Sequence, residues 1–136
     1  MPARAIRIEV VTPERRVLAE EVQEVVLPGE MGYFGVLPGH APLLSALVVG
    51  EVMYRAGVRA RFLAVGDGFA EVLPDRVSVL VRTAERAEEI DVERARRSLE
   101  RAQERLREWK RDLDFARARS SLQRAFVRIR VNGKTS

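Results

Sequence analysis

Four arginines carry the strongest chemical signal in this 136-residue chain. Arg94 and Arg101 are seven residues apart, two turns along one face of a helical stretch, and Arg124 and Arg128 stand at i and i+4 on a second one. If the two stretches fold back on each other the pairs meet. Four guanidiniums without acids between them repel, unless a polyanion lies there. That is anion-binding chemistry, not bond-making chemistry. The plainer reading is a solvated face on which Glu100, Glu104 and Glu108 pair the arginines, each exposed pair being worth little. No nucleophile–base pair or carboxylate dyad stands out, and Asp67 and Asp75 sit in turns where local hydrogen bonding accounts for them. His40 is the only histidine and there is no cysteine, so neither a catalytic residue nor a metal-ligand set is expected. The Gly-x-x-x-x-Gly-Lys pattern of a P-loop is missing too.

Two helices are predicted to position these arginines. Val92, Ala95, Leu99, Ala102, Leu106 and Trp109 are spaced 3, 4, 3, 4, 3, and Phe115, Ala118, Leu122, Ala125 and Ile129 are spaced 3, 4, 3, 4. Each is an a/d seam. The two are out of phase, and the break at Lys110 to Asp114 predicts a turn, although neither glycine nor proline marks it. Alanine at alternate seam positions lets helix axes approach closely, which favours an antiparallel hairpin. Asp91 stands where an N-cap belongs. The seam is thin, so the hairpin is expected to be marginal alone and easily tipped by a ligand or partner.

Ahead of the helices the chain has a different character. Ile6, Ile8 and Val10 alternate with Arg7 and Glu9, the period of a half-buried strand. Further runs at Val22 to Leu27, Val48 to Tyr54, Arg61 to Val65, Phe69 to Leu73 and Val77 to Val81 are separated by Pro28-Gly29, Ala56-Gly57, Gly66-Asp67-Gly68 and Pro74-Asp75. The Gly66-Asp67-Gly68 turn is expected to use glycine's freedom at positive φ. Short strands with frequent turns predict a β-sandwich or barrel. The fold class is therefore α+β: a β-sandwich over residues 1–84, then an antiparallel two-helix hairpin over 85–136.

Charge divides the same way. Residues 1–83 carry 9 basic and 10 acidic side chains, residues 84–136 carry 15 and 10, so the basic character belongs to the helices. Beyond Asp114 the cations Arg117, Arg119, Arg124, Arg128, Arg130 and Lys134 meet no acid in the sequence, a pattern that suits an acidic partner or, more plainly, a solvated basic tail. No apolar run is long enough to span a bilayer and no signal-peptide core is present, so a soluble cytoplasmic chain is expected.

The segment Gly32-Tyr33-Phe34-Gly35-Val36-Leu37-Pro38-Gly39-His40-Ala41-Pro42-Leu43-Leu44 resembles the signature loop of the epsilon subunits of F-type ATP synthases. Val11-Thr12-Pro13-Glu14 looks like that family's first turn, Gly66-Asp67-Gly68-Phe69 falls where the family has a turn, and Ile90-Asp91-Val92-Glu93-Arg94-Ala95 is similar to the Ile-Asp-x-x-Arg-Ala motif of its nucleotide-binding members. The resemblance covers residues 5 to 131. It implies a non-catalytic rotor subunit on the cytoplasmic face of the cell membrane, reaching the membrane only through its complex. Its sandwich would bind the gamma subunit and the c-ring of a proton-translocating enzyme. Its helices would either fold on the sandwich or extend into the alpha/beta hexamer and block ATP hydrolysis.

The resemblance also assigns residues. ATP, a regulatory ligand and not a required cofactor, would be held by Glu85, Ile90, Asp91, Arg94, Ala95, Arg101, Arg124 and Arg128, with Ile90, Asp91 and Ala95 near the nucleoside and the arginines near the phosphates. Glu30, Tyr33, Phe34 and His40 would meet gamma and the ring. Tyr33 replaces the acidic residue many members carry, with Glu30 close enough to substitute. Arg117, Arg119, Arg124 and Arg128 would contact an acidic loop of the beta subunit. Nucleic-acid binding through the basic hairpin is the competing account. Acids interleave with arginines over residues 85–114 and few aromatics are available for stacking, both of which count against it.

Overall fold

The computed structural model describes residues 5–108 and 112–134, without the side chains of residues 112–114. Among the described residues ten strands precede two helices: β1 (Ile6–Val11), β2 (Arg16–Val22), β3 (Glu24–Gly29), β4 (Gly32–Val36), β5 (Leu43–Leu47), β6 (Gly50–Ala56), β7 (Arg59–Val65), β8 (Gly68–Val72), β9 (Arg76–Val81), β10 (Ala84–Arg86), α1 (Val92–Glu108) and α2 (Asp112–Asn132). A 3-10 turn, Ala87–Glu89, links β10 to α1. The strands form one continuous sheet in the order β10-β7-β6-β3-β5-β8-β9-β1-β2, with β4 added to β3. All pairings are antiparallel except β1 with β9.

The sheet rolls so that its halves face each other. Ile6, Ile8, Val10, Val22, Val25, Leu27, Val36, Val52, Leu63, Val72, Val77 and Val79 fill the space between them. Valine predominates because branched side chains pack on a pleated surface at little rotamer cost. The seam where β10 approaches β2 is bridged by Arg86, whose Nη2 donates to the Val17 carbonyl at 2.8 Å.

Several expectations need correction. β2 has no clean signal in the sequence, because Glu20 and Glu21 blur its alternation, and Tyr33 and Phe34 are not in a loop. They lie in β4, which pairs Phe34 with Leu27 and Tyr33 with Pro28. Gly66 and Gly68 do not use positive φ; Gly32, Gly39 and Gly57 do. Their reason is crowding: a Cβ on Gly66 would stand 2.8 Å from Thr83 Oγ1, and one on Gly68 would collide with the Leu80 and Val81 backbone. β10 straddles the division at 84/85 and anneals to β7, with Ala84 opposite Val65 and Arg86 opposite Leu63. α2 already begins at Asp112, inside the expected turn, while Trp109 and Lys110 lie outside the described residues.

The helices run antiparallel across that short connection, and Ala95 and Ala102 of α1 face Ala118 and Ala125 of α2 along a buried seam. Asp91 is the N-cap: its Oδ1 accepts the Arg94 N–H at 3.1 Å. The seam is not the whole of the packing. Val127 and Val131, on the opposite side of α2, bury against Ala64, Ala87 and Ile90, flanked by Val49 and Phe62. α2 thus docks on the outer face of β6 and β7, and α1 rides on α2. At about 1.5–3 kcal/mol per fully buried aliphatic side chain, Val127 and Val131 supply only a few kcal/mol of docking.

Candidate functional site

The hairpin's basic flank follows from helical geometry. At about 100° per residue, Arg94, Ser98, Arg101 and Arg105 all project to one side of the α1 seam. Arg117, Ser121, Arg124 and Arg128 project to one side of the α2 seam, and in an antiparallel pair these two sides adjoin. A groove of about 390 Å³ opens there, lined by Arg105 from α1 and by Ala116, Arg117, Ser120, Ser121 and Arg124 from α2. Serines steady the guanidiniums in matching fashion: Arg101 Nη2 donates to Ser98 Oγ at 3.1 Å, and Arg124 Nη2 to Ser121 Oγ at 3.2 Å. Arg105 and the two serines belong to this flank but were missed in the sequence. Their 3- and 4-residue spacing to Arg101 and Arg124 is the signal that would have found them.

At its lower end the flank meets the sandwich. Arg128 Nε lies 2.6 Å from Glu85 Oε1, an ion pair with both side chains partly buried. Arg124 and Arg128 line a crevice with Val49, Ala64, Val65, Thr83, Glu85 and Val127, and its free space of about 10 Å³ admits no more than a water molecule. Arg94 and Arg101 are exposed on α1. Ile90 is buried under the foot of α2, Asp91 is occupied as N-cap, and Ala95 is sealed in the helix seam.

The cations of α2 do meet acids, contrary to the pattern in the sequence, because the sandwich provides them. Besides Arg128 with Glu85, Arg130 Nε is 3.3 Å and Lys134 Nζ 2.8 Å from the Glu51 carboxylate. Among the described residues no carboxylate pairs with Arg117, Arg119 or Arg124, nor with an arginine from Glu100, Glu104 or Glu108.

The four residues expected at an interface divide. Glu30 is exposed at the β3–β4 turn. Tyr33 is 52% exposed and its hydroxyl accepts the Glu51 N–H at 3.1 Å, whereas Phe34 packs against the core. Of the two adjacent rings, only that of Tyr33 points out. His40 Nδ1–H donates to the Ala41 carbonyl at 2.6 Å, a local turn bond. A larger feature was missed. On the outer face of β5, β8 and β9, Leu44, Phe69 and Leu80 are exposed, with Phe69 paired to Ala46 and to Leu80. Next to them a depression of about 470 Å³ is lined by Val11, Thr12, Pro13, Phe69 and Leu80 among others. Alternation in β8 and β9 put these residues outside, but only the three-dimensional register makes them one patch.

Comparison with known proteins accounts for both halves of the chain. The family model for the ATP synthase delta/epsilon chain β-sandwich domain matches residues 5–87, and that for the delta/epsilon chain long alpha-helix domain matches residues 88–133. The ATP synthase epsilon chain of Syntrophobacter fumaroxidans is 53% identical over 133 residues, 98% of this chain and 99% of that one. A chain in the cryo-EM structure of the Euglena gracilis mitochondrial ATP synthase, OSCP/F1/c-ring, superimposes with a TM-score of 0.80 at 22% identity, covering 90% of this chain and 78% of that one. A chain of the Tetrahymena thermophila mitochondrial ATP synthase central stalk and c-ring gives 0.61 at 10% identity, covering 97% and 99%. These two share the fold. Among the described residues no helix is long and apolar enough to cross a membrane. A sandwich followed by a helical hairpin, both matched end to end, means that the chain belongs to the ATP synthase delta/epsilon family, as an epsilon subunit of the F-type enzyme.

Proposed function

We propose that this epsilon subunit is a non-catalytic part of the rotor. Its sandwich clamps the central stalk to the c-ring at the cytoplasmic face of the cell membrane, and its hairpin is a detachable brake on ATP hydrolysis. The coupled ion is taken to be the proton. The observation that carries the reading is the unequal packing of the two parts. The sandwich has its own core, while the hairpin is attached through two valines and a few ion pairs. The exposed Leu44, Phe69 and Leu80 patch is the surface offered to gamma, since an apolar patch of this kind is what a stable partner covers. Glu30 and the exposed edge of Tyr33 face the ring. Released, α2 would present Arg117, Arg119, Arg124 and Arg128 to an acidic surface of the beta subunit. In the assembled complex, removing residues 91–136 should leave assembly intact and raise ATP hydrolysis. Unchanged hydrolysis under every nucleotide condition would end the inhibitory part of the proposal.

ATP is the ligand proposed for the basic flank, where it would favour the folded hairpin. Its phosphates suit Arg94, Arg101 and Arg124. Arg128 would exchange Glu85 for phosphate oxygens, and Ile90, Asp91 and Ala95 would border the nucleoside at the start of α1. Support comes from the adjoining flanks and from the Ile90–Ala95 motif. Calorimetric titration of the full chain with ATP, repeated on Asp91→Ala and Arg124→Ala, tests it: heat that is lost in both variants is expected, and no heat at millimolar ATP overturns it.

A further inference from the structure

One carboxylate holds the foot of α2. Glu51 projects from β6 on the side covered by the hairpin, and its side chain is only 17% exposed. It takes Lys134 Nζ at 2.8 Å in a hydrogen bond and Arg130 Nε at 3.3 Å. The Arg130 contact is one of charge alone, because Glu51 Oε2 has no hydrogen bond among the described residues. Lys134 stands at the same time 4.3 Å from the centroid of the Phe62 ring on β7. The Tyr33 hydroxyl accepts the Glu51 N–H, which fixes the strand from which this carboxylate projects. Among the described residues α2 is also tied to the sandwich by Arg128 with Glu85 and by the Asn132 amide donating to the Ala87 carbonyl at 3.3 Å.

We propose that Glu51 is an ionic latch that keeps the hairpin docked, with Lys134 and Arg130 as its two keepers. The proposal rests on the reading of the hairpin as detachable. A largely buried carboxylate stripped of two cations is left uncompensated, so opening is costly while the charge persists. Neutralising it lowers that cost. Residues 115–134 contain no acid, so the cations at the end of α2 depend on the sandwich for their counter-charge. An acidic protein surface reached by α2 therefore competes with Glu51 for the same two side chains.

The full chain has no cysteine, so spin labels at Val58→Cys and Gln123→Cys, both exposed, report docking as a single narrow distance. Glu51→Gln should raise the ratio of released to docked molecules about tenfold. In the parent protein that ratio should climb as salt rises to about 1 M, where the screening length is about 3 Å, and Glu51→Gln should lose most of this response. Lys134→Gln, in the turn just past α2, should reproduce part of the effect and add nothing on top of Glu51→Gln. Val131→Asp serves as the release control. If it broadens the distance while Glu51→Gln and Lys134→Gln leave both the populations and the salt response unchanged, the latch is overturned and the detachable hairpin stands. If Val131→Asp also leaves the distance narrow, the detachable hairpin fails and the latch fails with it.

Discussion

The two outer faces of the rolled sheet have been treated differently. The face of β6 and β7 carries one acid, one small residue and a single large ring, Glu51, Ala64 and Phe62, and is covered by α2. The face of β5, β8 and β9 carries Leu44, Phe69 and Leu80 and is left uncovered by the described residues. The covered face is thus the less apolar of the two. A contact meant to last would use the greasier surface, since affinity grows with apolar area buried. A contact meant to open would use few valines and several ion pairs, whose strength depends on partners and salt. On the proposed reading, the sheet assigns a lasting connection to one face and a reversible one to the other by their composition.

Substitutions can break or sharpen that contrast. The largest effect belongs to the core common to both faces. Leu63→Ala, fully buried on β7, should cost about 3 kcal/mol and lower the melting temperature of the whole sandwich. If only the hairpin loosened, the two faces would not share one core. Val131→Ala on the covered side should cost about 1–2 kcal/mol, read as faster amide exchange in α2 and β7, with the melting of the sandwich little changed. A smaller effect comes from Tyr54, whose ring on β6 lies in the core and whose phenol is pushed above its usual value, first by burial and then by Glu20. Because the folded state favours the protonated phenol, this contribution is fully present below the ordinary phenol range near pH 10 and is lost as pH rises through the folded value. Tyr54→Phe should flatten the alkaline fall in stability, and an unchanged slope would assign that fall to other groups. On the bare side Phe69→Ser with Leu80→Ser should alter stability by less than about 0.5 kcal/mol yet abolish capture of the gamma subunit. Retained capture would move the permanent connection elsewhere.

Much of this was legible in the sequence, and the misses have a common cause. Period-2 runs located β1, β3, β6, β7, β8 and β9, and the 3-4 spacing located both helices and the Asp91 cap, because those signals are local. β10 was lost because three residues carry no period, and β4 because glycines at positions 32 and 35 looked like loop punctuation. The second face of α2 was hidden because Val127 and Val131 lie opposite the seam and read as stray apolar residues. The acids that answer Arg128, Arg130 and Lys134 come from β10 and β6, 43 to 83 positions away in the chain, a separation that no local pattern reports. The arginine flank was half visible: four of its members stood out by type, while Ser98, Arg105 and Ser121 were marked only by their 3- and 4-residue spacing to Arg101 and Arg124.

The chain leaves the sheet through β10, turns at Ala87–Glu89, and starts α1 at Val92, while the far end of α2 returns to that same corner, with Val131 over Ile90 and Asn132 on the Ala87 carbonyl. In the proposed movement the fastening and the fulcrum therefore coincide. α1, with its 17 residues, reaches about 26 Å from that corner, so a pivot of a few degrees at Ile90 sweeps the helical tip through several times the displacement felt at its base. If the hairpin swings as proposed, a handful of side chains at that corner sets the position of both helices.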